Sequence, residues 1–204
     1  MKKRETASEL MARLNADPEF VAKAARREEA RIVRETALLS AQEPLLDELR
    51  AVGVVVESVW DLVNTSMPYP GALSVLLDHF QRPYPASVRE GIARALAVPA
   101  ARFARNELVK LYQHESDPIV KEGLAVAVAA TTADEDLEDL IALVRDDTCG
   151  QSRLLLLSAL ERSSDPRALS TLVALRSNPV FAKEIPYILR RLGRKSKVSR
   201  LRQP

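Results

Sequence analysis

Apolar residues recur at three- and four-residue spacing along most of the chain, the period of an amphipathic α-helix. Leu73, Leu76, Leu77 and Phe80 show it in one short segment. The pattern itself then repeats. Ser74 to Phe80 (SVLLDHF), Asn106 to Tyr112 (NELVKLY), Glu138 to Val144 (EDLIALV) and Ser170 to Arg176 (STLVALR) align so that Leu76, Leu108, Leu140 and Leu172 form one evenly spaced column. The period is roughly 32 residues, within the range of helical-hairpin repeats. The next position is Leu77, Val109, Ile141 and Val173, again apolar four times.

A second column shares the register. Val88 to Leu96 (VREGIARAL) stands one period before Val120 to Val128 (VKEGLAVAV), Ile92, Leu124 and Leu156 align, and Ile185 follows slightly early. Each unit therefore reads as a helical hairpin. Asp17-Pro18, Asp117-Pro118, Asp165-Pro166 and Asn178-Pro179 each offer an N-cap acceptor followed by proline at the first helical position. A lone hairpin leaves an apolar face open, so the units are expected to stack on one another. Gly91 and Gly123, in the same place of two second helices, predict close approach there, because glycine inside a helix otherwise costs about 1 kcal/mol against alanine.

The run Asp117-Pro118-Ile119-Val120-Lys121-Glu122-Gly123-Leu124 resembles the opening of the second helix in bacterial HEAT-like repeats, and the resemblance covers about residues 69–192. It implies an all-α fold: a right-handed α-solenoid of four HEAT-like hairpins (69–98, 99–132, 133–164 and 165–192) with an N-terminal helical extension. Two places depart from the pattern. Thr148-Cys149-Gly150 stands where unit three should open with Asp-Pro, and Pro186 lies inside the second helix of unit four, predicting a kink or a late start near Lys183.

Residues 1–68 are expected to form an arm and a cap. Thr6 with Glu9 has capping-box spacing for a first helix ending near Asn15, and a second helix runs from Pro18 to about Ala41 with a charged middle in which Arg31 and Glu35 are i,i+4 neighbours. Its apolar residues gather towards its ends and do not form one heptad seam. Pro44 to Val52 and Val55 to Asn64 read as two more helices, and Trp60, the only tryptophan, is expected to pack under the first repeat. Val54 to Val56 is the nearest approach to a strand, and it is too short.

Composition fits helices: aromatic residues are 4% of 204, so Leu, Val, Ile and Ala fill the interior. One cysteine, Cys149, excludes an internal disulfide and suits a reducing compartment. The start MKKRETASEL lacks a signal peptide's apolar run, and no apolar stretch approaches the roughly 20 residues of a membrane span, so the expected location is cytoplasmic, with no membrane partner. The net charge of +2 says little, but the last fifteen residues carry seven basic groups and no acidic one. Gly193 to Pro204 is expected to be a flexible basic tail, offering Arg194, Lys195, Lys197, Arg200 and Arg202 to an acidic partner or to solvent.

Arg89, Lys121 and Arg153 form a basic ladder with the spacing of the repeat. In HEAT-like stacks second helices usually line the concave surface, so the ladder reads either as an anion-binding stripe or as structural pairing with an acidic neighbour such as Asp117. Five acids between Asp134 and Asp139 open unit three and suit a helix N-terminus. His79 and His114 are out of register with each other. No zinc-ligand spacing, phosphate loop, nucleophile elbow or triad is visible. The expectation is a non-enzymatic scaffold with no cofactor or metal, binding a protein or peptide through Arg89, Arg94, Lys121, Arg153 and Tyr187 on its concave face, as a monomer or as a homodimer through the N-terminal helix. The alternative is nucleic-acid binding by the ladder and tail. HEAT-like folds also include DNA glycosylases and bilin lyases, whose chemistry has no recognisable site here.

Overall fold

The repeating register is realised as four consecutive helical hairpins in a computed structural model, which describes residues 6–201, with side chains as far as Arg194. Ahead of the hairpins come α1 (Ala7–Ala16), α2 (Pro18–Ala41), α3 (Glu43–Ala51) and α4 (Val59–Asn64). The hairpins are α5 (Leu73–Phe80) with α6 (Ala86–Ala95), α7 (Arg105–His114) with α8 (Pro118–Thr131), α9 (Leu137–Arg145) with α10 (Arg153–Arg162), and α11 (Pro166–Leu175) with α12 (Ile185–Leu201). Short 3-10 segments lead into α5, α7 and α9, and a fourth, Asp147–Ser152, joins α9 to α10. No strand occurs among the described residues; Val54 to Val56 is irregular chain.

Both leucine columns are core. Leu76, Leu108, Leu140 and Leu172 are fully buried, as are Ile92, Leu124, Leu156 and Ile185. The adjacent column ends differently: Leu77 and Ile141 are buried, whereas Val173 in the fourth hairpin is exposed. The second helices pack side by side, α4 on α6, α6 on α8 and α8 on α10. Glycine permits that approach. A Cβ on Gly123 would sit 3.1 Å from the Ala93 Cβ and from the Glu90 carbonyl oxygen, and one on Gly91 would sit 2.6 Å from the Val59 Cγ1.

The expected caps form. Asp117 accepts from the Ile119 and Val120 amides, and Asp165 and Asp17 cap α11 and α2 in the same way. Asn178 does accept the Val180 amide at 2.9 Å, but only a turn follows. Helix α12 starts at Ile185, which places Pro186 in the first turn where its missing N–H costs nothing, so the late start replaces a kink. The Asp-Pro missing from unit three is replaced by Asp146, which accepts the Thr148 amide, and by Gly150 at φ 65°, a backbone that favours glycine.

Two boundaries differ from the sequence expectation. Helices α3 and α4 form a further, shorter hairpin that belongs to the stack, with α3 against α5 and α4 against α6. Buried Gln42 joins its two arms by accepting the Val59 amide at 2.9 Å, and Trp60 packs against Gly91 as expected. At the other end no flexible tail begins at Gly193, because α12 continues through it to Leu201. Past Pro186 the chain has no proline until Pro204, and its Arg, Lys and Leu residues are good helix formers whose cations suit a helix C-terminus. Arg194 is exposed on that helix, Lys195, Lys197 and Arg200 lie on its backbone, and Arg202 falls outside the described residues. No helix among the described residues is long and apolar enough to cross a membrane.

Candidate functional site

The basic ladder is present as a row, and each rung is engaged within the protein. Arg89 lies over the Phe80 ring at 4.7 Å and bonds Glu115 at 2.7 Å. Lys121 lies 5.5 Å from the Tyr112 ring centroid and donates to the Glu115 carbonyl at 3.3 Å. Glu115 thus ties the first hairpin to the second, and its other carboxylate oxygen accepts the Ser116 and Asp117 amides. Asp117 spends its side chain on the helix cap and is not the partner of Lys121.

Arg153 is 3% exposed. It donates to the Gly150 and Val144 carbonyls, pairs with Asp147 at 2.7 Å and lies over Phe181. A guanidinium buried this deeply is removed from any exposed binding surface, and its work is to satisfy carbonyls at the end of α9. Phe80 and Tyr112, which carry two of the cations, stand one period apart, so the sequence held the signal that the ladder is half of a cation–aromatic repeat. The ladder offers no row of free cations to an anion.

Arg94 and Tyr187 lie elsewhere. Arg94, near the end of α6, donates through Nε to Glu90 at 2.8 Å, its one bond among the described residues. Tyr187 on α12 is 58% exposed with the Arg190 guanidinium 4.5 Å from its ring centroid. With Arg153 buried, the five candidates do not form one exposed surface.

The acidic run opening unit three is also spent on joining hairpins. Arg102 bonds Glu135 at 2.7 Å and Asp136 at 3.1 Å, buried Arg105 lies 3.3 Å from Asp136 and 3.5 Å from Asp139, and Arg167 bonds Glu138 at 3.0 Å. Asp134 accepts from the hydroxyls of Ser163 and Ser164, which hold its carboxyl below the ordinary range.

Titratable groups inside the stack are arranged for structure. His79 is fully buried at the end of α5, with Nδ1 2.7 Å from the Tyr84 hydroxyl and Nε2 3.0 Å from Glu48, close enough for an ionic contact but poorly aligned for a hydrogen bond. That contact, followed by Arg82, holds the Glu48 carboxyl below its ordinary value. The group locks the short α3–α4 hairpin to the first full one. Cys149 is buried, and burial followed by the charge of Asp146 pushes its thiol up, so it is not a poised thiolate. Burial likewise pushes up the Tyr112 hydroxyl, which bonds Ser152 at 2.9 Å. Among the described residues no three His, Cys, Asp or Glu side chains gather as a metal site would need.

The N-terminal arm stands largely apart from the core, which it meets through half-buried Leu38 near the end of α2. Neither α1 nor α2 contains a buried residue. The capping box of Thr6 and Glu9, the Asp17 cap and the pairing of Arg31 with both Glu28 and Glu35 explain why these segments are helical. None of these explains why Met11, Val21, Ile32, Val33 and Leu39 are exposed, Val33 by 64%. Val21, Ala25, Ile32 and Leu39, at steps of four, seven and seven, fall on one side of α2, but Glu28 and Glu35 share that side and Val33 is turned about 100° from Ile32. Charged residues between them blur the period, so the shared face is not evident in the sequence.

Compared with models of protein families, with curated proteins and with solved structures, the chain matches none.

Proposed function

We propose that the chain is a non-enzymatic scaffold, a right-handed HEAT-like α-solenoid capped by the α3–α4 hairpin, which holds a protein partner on its N-terminal arm. Close packing of second helices supports the solenoid reading, as does a cleft of about 420 Å³ that separates the first helices α7 and α9. Helices close on one side and apart on the other curve the stack, with the second helices inside. The engaged ladder moves the proposed docking surface away from that inner face.

The observation that carries the reading is the unburied apolar side of α2. A helix of 24 residues is about 36 Å long, and in proteins most helical stability comes from packing an amphipathic face, which α2 does not do. Its large apolar residues gain nothing by facing solvent, whereas an amphipathic helix laid against them would cover them. A second copy of the chain supplies such a helix: the five basic and four acidic residues of Pro18–Ala41 nearly cancel, so two arms do not strongly repel.

Ile32→Asp with Val33→Asp tests the proposal without touching the core. Sedimentation velocity and affinity capture are run on the full chain and on this variant. The expected result is loss of the dimer, or of one defined captured protein, with unchanged thermal unfolding. An unaltered mass together with an unaltered set of captured proteins would show that the arm is not the docking surface.

A further inference from the structure

The shortness of α4 leaves a second feature. Helix α4 has six residues where α6 has ten and α8 fourteen, so it ends before it can cover the C-terminal end of α6. The chain then runs extended from Thr65, with Pro68 and Pro70 stiffening its path, and Pro99 opens the facing connection. Between the two connections lies a cleft of about 430 Å³, within the roughly 300–1,000 Å³ typical of ligand sites. Buried Leu62 and Leu73 form its floor, exposed Met67 stands at its rim, and among the described residues Arg94 is the only charged one that lines it.

Comparison with its own repeat shows what is unusual. Leu137, two periods after Leu73, lines the equivalent cleft at the end of α10, which measures only about 260 Å³. The position matching Arg94 is Ser158, and the arginine that lines this cleft, Arg162, is consumed: its Nη2 donates to the Ala129 carbonyl at 2.7 Å, while Asp134 accepts the Ser163 hydroxyl at 2.5 Å. In the wider cleft Arg94 is held by Glu90 through Nε alone, and neither terminal nitrogen has a partner among the described residues. A fork of donors with fixed orientation therefore sits beside an apolar floor, with no carboxylate in the lining to satisfy it.

We propose that this cleft binds a peptide segment in which a large apolar side chain adjoins a carboxylate, the apolar group seated on Leu62 and Leu73 and the carboxylate on the free fork of Arg94. A guanidinium fork matches a carboxylate with two parallel hydrogen bonds, and the apolar floor rewards a neighbouring Leu-like side chain. The cleft is rimmed by exposed residues on both connections and not enclosed, which suits a segment of chain passing through more than a buried alkyl tail. The site is separate from the arm, and neither proposal rests on the other.

Titration of the ¹⁵N-labelled full chain with acetyl-Asp-Leu-Leu-amide tests it, with acetyl-Asn-Leu-Leu-amide and decanoate as comparison probes. Saturable amide shifts confined to residues 62–73 and 94–100 are expected, with the Asn peptide about tenfold weaker. Arg94→Gln is expected to lower the Asp peptide to the level of the Asn peptide, and Met67→Glu to weaken both. Equal binding of the two peptides, shifts elsewhere in the chain, or displacement of the Asp peptide by decanoate at lower concentration would each overturn the proposal.

Discussion

Helix α8 and helix α2 are both long, both begin with an Asp cap and a proline, and both contain many alanines, yet one has eight buried residues and the other none. The contrast teaches where each helix gets its order. In α8 the small residues are functional spacing: Gly123 lets the helix approach α6, and Ala125, Ala127 and Ala129 are all buried. In α2 the order is local, from propensity, the cap and the exposed Glu28–Arg31–Glu35 pairs. The same alphabet therefore builds a tertiary helix in one place and a self-supported one in the other.

The largest break in this contrast is expected from the stack. Leu124→Ala, at a fully buried position of α8, is expected to cost about 2–5 kcal/mol by urea unfolding. A cost below about 1 kcal/mol would mean that α8 is not the packed centre described. Gly91→Ala comes next. Its Cβ would lie 2.6 Å from Val59 and 3.1 Å from the Trp60 ring, so about 1–3 kcal/mol of overpacking is expected. The Trp60 emission spectrum should shift in the native state, and an unchanged spectrum with unchanged stability would separate α4 from α6.

A smaller and pH-specific effect concerns the lock between the short hairpin and the first full one. His79 and Arg82 depress the folded carboxyl of Glu48, so the contact stabilises the fold fully above the unfolded glutamate value of about 4.3. That contribution is lost as pH falls through the lower folded value. Glu48→Gln is expected to lower stability at neutral pH and to flatten its decline on acidification below about pH 4.3. An acid decline identical to that of the natural chain would remove Glu48 from the lock.

The repeat register was fully legible, since a column such as Leu76, Leu108, Leu140 and Leu172 needs only one sequence to be seen, and all four are buried. The glycine reading was legible for the same reason. The extra hairpin left a fainter trace: Val59 stands one period before Gly91, and Val56, Val88 and Val120 share the spacing. Its short α4 and irregular 54–58 connection hid the period. The lock of Glu48, His79 and Tyr84 was not legible, because it depends on the depth and rotation of α3 against α5, which no spacing encodes. The fate of the ladder lay between these cases. Its cations were visible in register, and so were Phe80 with Tyr112 and Glu115 with Asp147, each pair one period apart, but Phe181 follows no period and no spacing shows which side chains meet. The cleft at Arg94 arises from where α4 stops, a property of chain length and proline placement, not of any motif.

Among the described residues the arm has no buried side chain, whereas α8 alone has eight. Hydrogen exchange of the dilute full chain tests this most directly. The α2 amides are expected to exchange orders of magnitude faster than those of α8, through local opening independent of global unfolding. Protection of α2 equal to that of α8 would contradict the account, because it would show that the arm is already packed into the folded monomer.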